Sequence, residues 1–570
     1  MRRFIVGLLA TIGLLALLAV AGVGFAGWWL WERFTESEAL PERIVLELDL
    51  REALPEVPDG PSLRSFSLDR EPTVAETVLA LDAATRDPRV TGVVALLDET
   101  SHGFAVTQEL RDAIGRFRAS GRFALAWADS FGELSSGNEG YYLASAFEEI
   151  HLQPVGLVGL SGLSMELPYG RELLASLGVE LSVGRRAEYK NALESFTHDG
   201  PTEASAEMMA ALVDGLHAQM LQGLAEGRGM DAAAMGAIVG GGPYAADDAE
   251  ELGLVDGLAY RDEVIARARR RAGGAALLTL AEYGAATAGP EQGPAIAVVR
   301  AAGPIERGSP GFGTRIGAED LVRELEGATR DDTVAAIVLR IDSPGGSAVG
   351  SETVARAVQR AVQAGKPVVV SMGNAAASGG YWIAMGASRI VAQPATFTGS
   401  IGVIAGKPVL AGAWKRLGIE WAAFARGENA GMWSINEAYD AGERERLEHL
   451  LDALYGSFKE GVAAGRDMTP ERVEELARGR VWLGSKAREL GLVDRTGGLL
   501  EAIEEARSAA GLPVDAPGAV RLLPAPEWPW QRFLGLLDGD MASLARGALG
   551  ALGVPLASGP ASAVLLPDVR

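Results

Sequence analysis

Short apolar runs rich in β-branched residues alternate along the chain with stretches whose apolar residues recur every three or four positions. VAAIVLRID, residues 334–342, suits a buried strand, and SETVARAVQRAVQAG, residues 351–365, has helical spacing. KPVVVSMG (366–373) and RIVAQP (389–394) read as two further strands. Strands alternating with helices predict parallel β/α layers joined by right-handed crossovers.

The pattern occurs twice. EGYYLASAFEEIHLQPVGLVGLSG, from Glu139, matches GGYWIAMGASRIVAQPATFTGSIG, from Gly379, at a constant offset of 240. Tyr141 falls on Tyr381, Ile150 on Ile390 and Gly159 on Gly399. Upstream, VTGVVALLD pairs with VAAIVLRID; downstream, AEGRGM and ELGLVD return as AAGRDM and ELGLVD at an offset of 238. Such a repeat marks a duplicated structural unit. The predicted architecture is α/β, with two tandem repeat domains at 44–270 and 295–510, a linker at 271–294 and a C-terminal tail at 511–570. Apolar residues in the tail fit an amphipathic helix or a packing segment.

A different pattern opens the chain. Phe4 to Trp31 carry no charged residue, and as a helix they would extend about 42 Å, more than a hydrocarbon core of about 30 Å. Residues 1–33 are therefore predicted to be a transmembrane anchor, a cleaved signal peptide being the competing reading. Arg2 and Arg3 keep the N-terminus cytoplasmic and place the rest of the chain on the other side.

Composition narrows the chemistry. A net charge of −23 without a basic cluster argues against nucleic acid as a partner. With no cysteine there is no thiol nucleophile, thiolate metal site or disulfide. The five histidines show no HExxH spacing, so no metal is expected.

The two copies differ where chemistry would lie. The second holds IDSPGGS (341–347) and NAAASGGYW (374–382). Gly345, Gly346 and Gly379 offer backbone N–H groups unobstructed by side chains, as an oxyanion site requires. Ser378 lies between a strand and a helix and is the candidate nucleophile; alone it would read as a helix N-cap. The first copy has Asn138 at the Ser378 position and DETSHG in place of DSPGG. It has instead Lys190, whose counterpart is Ala430. Lys190 is one of six lysines in a chain that otherwise uses arginine. A desolvated lysine can be neutral and act as a general base, which arginine cannot. Lowering its pKa from about 10.4 to about 7 requires on the order of 4.6 kcal/mol. Ser400, whose counterpart is Leu160, is the candidate to orient the lysine.

SPGG, ASGGYW and TGSIG in the second half, with YKNALESFT in the first, resemble the signal peptide peptidase A (protease IV) family in its long, duplicated form. The likeness covers residues 1 to about 510 and departs from the expected pattern at Asn191 and His198. It implies a Clp-protease- and crotonase-like fold and a Ser/Lys dyad matching Ser378 and Lys190, with Ser400 beside the lysine. It also implies a homotetramer at the bacterial inner membrane, its catalytic part on the periplasmic side, that hydrolyses apolar peptides such as cleaved signal peptides. No cofactor is expected. Two alternatives stay open: a crotonase-type enzyme acting on acyl-CoA, and a non-catalytic membrane scaffold.

Overall fold

The structure is a computed structural model that describes residues 40–58, 71–133, 135–287, 293–310, 314–514 and 519–524. The predicted anchor and the tail beyond residue 524 lie outside the described residues. No helix among the described residues is long and apolar enough to cross a membrane.

The first unit is built on β1 (Ile44–Asp49), β2 (Val90–Leu97), β3 (Phe123–Ala128) and β4 (Glu149–Leu152). The antiparallel ribbon strand β5 (Glu180–Arg186) leaves this sheet, which β6 (Gly257–Leu258) and β7 (Ala276–Thr279) complete. The sheet order is β6-β4-β3-β2-β1-β7, parallel throughout. The second unit has β8 (Ala295–Ala302), β9 (Val334–Ser343), β10 (Val368–Ala377), β11 (Arg389–Ala392), β12 (Phe397–Gly399), β13 (Val403–Val409), β14 (Val481–Leu483), β15 (Arg495–Thr496) and β16 (Val520–Leu523). Its parallel core, β15-β11-β10-β9-β8-β16, repeats the order of the first sheet strand for strand. β12 continues alongside the far end of β10 and pairs with β14 in antiparallel fashion. The tandem α/β expectation therefore holds.

The near-continuous apolar runs follow from burial on both faces, as parallel sheets require. Val93, Val94, Ala95 and Leu96 of β2 are fully buried, as are Ile337, Val338 and Leu339 of β9. Two stretches depart from the sequence reading. Within 271–294, read as a linker, ALLT forms β7 against β1, and helix Leu280–Thr287 follows it. Within the tail, VRLL forms β16 against β8. Each strand is four residues long among small and glycine-rich neighbours, too short for its period to register, and the sheet edge supplies the pairing.

Two helices matter most for the site: α1 (Phe104–Ala119) from the first unit, and α2 (Gly379–Ala384) immediately after β10. α1 lies against the second unit. Gln108 accepts from the Ala395 N–H (2.8 Å), Asp112 from Gln393 (2.9 Å) and Glu109 from the Leu499 N–H (2.6 Å). Glu109 also joins Glu56 in clasping Arg340 of β9, each at 2.7 Å, with all three side chains buried. This ionic knot joins the two units beneath the site, and burial raises the Glu109 carboxyl above the usual range.

Candidate active site

β10 ends at Ala377 and α2 begins at Gly379, so Ser378 occupies a one-residue corner. Its backbone is left-handed, φ 55° and ψ −116°, a conformation that L-residues adopt only when their surroundings enforce it. The enforcing contacts include the Ser378 N–H donating to Gly399 O (2.9 Å) and Trp382 N–H donating to Ser378 O (2.9 Å). Although Ser378 stands at the N-cap of α2, its side chain makes no capping bond. Instead Oγ lies 2.9 Å from Lys190 Nζ. The two residues that sequence divergence singled out in different copies are therefore in direct contact within one chain.

Lys190 comes from the loop after β5 and is 5% exposed. Its Nζ has two other neighbours, the carbonyl oxygen and Oγ of Ser400, each at 2.9 Å. Ser400, also left-handed (φ 48°), directs its own hydroxyl toward Gly479 O (3.4 Å), which leaves its Oγ as an acceptor for the amine. A neutral amine has two N–H donors and one lone pair. The Ser400 oxygens can take both donors, and the lone pair then faces Ser378. Burial alone pulls Lys190 down to about 7, with no carboxylate acting to restore its charge.

Gly479 was not legible in the sequence, yet it sets this contact. At φ 83° a Cβ there would stand 2.5–2.7 Å from the main chain and Cβ of Lys190. Arg478 O accepts from the Tyr189 N–H (3.1 Å), pinning the lysine loop onto the second unit. The only signal was a glycine in ARGRVW after a helical stretch, and nothing in that pattern points at residue 190.

The expected oxyanion glycines converge on the serine. A Cβ on Gly345 (φ 109°) would meet Gly379 N and Ser378 Cβ at 2.8 Å, so only glycine permits this approach. The Gly345 N–H donates to Ser343 Oγ (3.2 Å), while those of Gly346 and Gly379 have no acceptor among the described residues. The geometry thus favours Gly346 and Gly379 as donors, with Gly345 clearing the approach. Asp342 accepts from the Ala375 N–H (2.8 Å) and ties the end of β9 to the strand that carries Ser378. Burial, then the nearby Glu56, push the Asp342 carboxyl up to about 7. Asn374 fastens the same strand end to α1, accepting from Val106 N–H (3.1 Å) and donating to His102 O (2.7 Å).

At the corresponding place in the first unit, Asn138 is a structural residue. It accepts from the Ser161 and Gly162 N–H groups and donates to Gly162 O. The two departures near the lysine are occupied elsewhere, Asn191 on Ser205 (2.8 Å) and His198 on Thr197 (2.9 Å).

Ser378, Lys190 and Ser400 open onto a cleft of about 540 Å³ between the units. Met165, Met209, Leu212, Phe397, Leu454 and Phe458 are among its apolar lining. Among the described residues, no group of three or more His, Asp or Glu side chains could hold a metal ion.

The profile of peptidase family S49 matches residues 123–274 and 360–513, one segment in each unit. The chain is 31% identical to a chloroplastic serine protease SPPA of Arabidopsis thaliana over 76% of this chain and 65% of that protein. It is 32% identical to Protease 4 of Haemophilus influenzae over 78% of this chain and 74% of the relative, and 32% identical to that of Salmonella typhi over 80% and 75%. Among solved structures it matches a ClpP1 mutant from Listeria monocytogenes at 15% identity and a TM-score of 0.24, over 36% of this chain and 93% of that one. With the family profile repeated in both units and long relatives aligned across them, the chain belongs to peptidase family S49 and is a serine peptidase of its duplicated form.

Proposed function

We propose that the chain is an endopeptidase in which Ser378 is the nucleophile and Lys190 the general base, acting on apolar peptides such as cleaved signal peptides. The observation that carries this reading is the 2.9 Å approach of a buried lysine, with a pKa of about 7, to a strained serine hydroxyl. The Ser378 proton passes to the Nζ lone pair as Oγ attacks the scissile carbonyl carbon. The carbonyl oxygen gains the negative charge and is met by the N–H groups of Gly346 and Gly379. Lys190 then returns the proton to the departing amine, and a water deprotonated by the same nitrogen releases the acyl group from Ser378.

The apolar substrate follows from the cleft lining. Attachment to a bacterial inner membrane, with the units on the periplasmic face, follows from the uncharged run Phe4–Trp31 after Arg2 and Arg3. Assembly as a homotetramer belongs to the same proposal. The test is hydrolysis of a Leu/Ala-rich peptide by the purified chain, with fluorophosphonate labelling mapped by mass spectrometry. Label on Ser378, with activity lost in Ser378→Ala and Lys190→Arg, is the expected result. Full activity in Lys190→Arg removes the lysine from the mechanism.

A further inference from the structure

Within the chain, β13 of the second unit pairs antiparallel with β5 of the first, from Val403↔Arg186 to Val409↔Glu180. The duplication supplies another copy of each strand. LSMELPY (163–169) stands at the β13 position and EWAAFAR (420–426) at the β5 position, both at the offset of 240, with Pro168 on Pro408 and Glu420 on Glu180. Neither belongs to a named strand among the described residues. Along 163–169, half-buried and exposed residues alternate as in a strand with one free face. All of 420–426 is exposed, with Trp421 at 60% and Phe424 at 95%.

We propose that a second copy of this chain docks there: residues 420–426 of one copy pair antiparallel with 163–169 of the next, running from Leu163↔Arg426 to Tyr169↔Glu420. Three matched differences between the copies support it. They involve α3 (Glu203–Arg228) and its counterpart α4 (Ala441–Arg466), which are related by the offset of 238.

The first difference is a charge pair. Arg186 of β5 bonds Glu448 (2.5 Å) and Asp452 (2.7 Å) of α4. The corresponding residues are Arg426 and, on α3, Ala210 and Asp214. Arg426 and Asp214 are both exposed, and neither makes an ion pair among the described residues. The second is volume. A Cβ on Gly184 would meet Leu451 at 2.7 Å, Glu448 at 3.0 Å and Leu447 at 3.5 Å. At the corresponding place the strand carries Phe424, and α3 offers the smaller Val213 and Ala210 beside Met209. The glycine faces three large side chains, whereas in the docked pair the phenylalanine would face Met209 and two smaller residues, as filling one interface twice requires. The third is a paired loss: the Arg444 to Ser182 hydrogen bond (2.7 Å) corresponds to Ala206 and Ala422, where both members are gone together.

The docking bears on the site. Met165, Leu167 and Tyr169 line the cleft, and residues directly opposite in an antiparallel pair share a face. Phe424 of the neighbouring copy therefore stands beside Met165 as part of the cleft wall. The contact is head to tail, so it repeats until a ring closes. Only the consequence for the cleft rests on the peptidase reading; the pairing itself does not.

The test uses the full chain in detergent, with mass read by sedimentation velocity. The wild type is expected to be an oligomer. Arg426→Asp or Asp214→Arg should weaken association about a hundredfold or more, and the double reversal should restore it. Because the chain lacks cysteine, Glu166→Cys with Ala423→Cys should cross-link copies on oxidation, whereas Glu166→Cys with Ala425→Cys, two residues out of register, should not. A monomeric wild type, single reversals of unchanged mass, or equal cross-linking by both cysteine pairs overturns the proposal. Fluorophosphonate labelling of Ser378 is read separately, so loss of label with intact assembly counts against the peptidase reading alone.

Discussion

Lys190 should leave a mark on the pH dependence of both activity and stability, each beginning near pH 7. Its ammonium is disfavoured by burial alone, which lowers its pKa from 10.5 to about 7. That difference corresponds to about 5 kcal/mol between the charged and neutral forms in the folded chain. For catalysis, kcat/KM on a neutral peptide should rise with pH and reach half its plateau near pH 7, following the neutral fraction of the amine. For stability, the unfolded chain binds a proton up to about pH 10.5 while the folded chain releases it near 7. Folding stability therefore rises with pH between those values, by about 1.4 kcal/mol per unit, and this contribution is lost as pH falls to 7. Lys190→Met removes the titrating group, so the stability of wild type relative to Lys190→Met should climb at that slope from pH 7.5 to 9.5. The assays are pH profiles of peptide hydrolysis and urea unfolding followed by tryptophan fluorescence. An activity inflection at pH 9 or above, or parallel stability profiles for the two proteins, would refute the neutral-lysine argument.

Ser400→Ala removes one of the two acceptors that orient the amine; kcat should fall about 10- to 100-fold with KM little changed, measured on the same peptide. Gly479→Ala forces a Cβ against the Lys190 main chain, and peptide hydrolysis should be lost while circular dichroism stays that of a folded chain. Ser378→Gly and Ser378→Ala should both be inactive, but the glycine variant should be more stable in urea by about 1–2 kcal/mol, because it relieves the left-handed corner. Arg340→Met leaves Glu56 and Glu109 buried without their cation. It should lower stability by about 3–5 kcal/mol, and adding Glu56→Gln and Glu109→Gln should recover much of that loss.

Much of this was legible from periodicity and self-comparison. β2, β3, β9 and β10 are apolar runs because both faces of a parallel sheet are covered, and the duplication made the divergence at residues 138/378 and 190/430 visible. Other features left little trace. β7 and β16 are too short to declare themselves without the sheet edge they join. Arg340 reads as an anomaly in a buried strand; its partners lie 284 and 231 residues away, and a one-dimensional pattern carries no sign of such contacts. Gly345 looked like an oxyanion donor, but the Ser343 hydroxyl takes its N–H.

By itself, the sequence determined that the protein is two parallel β/α units, which copy kept a serine, and which kept a lysine where its repeat partner has alanine. Periodicity and residue chemistry are local properties, so they survive in the linear order. Only the tertiary structure decided that the lysine is buried against that serine, 2.9 Å from its hydroxyl. Its lowered pKa comes from burial, and Ser378, Ser400 and Gly479 of the other unit all pack against it there. Desolvation belongs to that enclosure, which no single stretch of the chain contains.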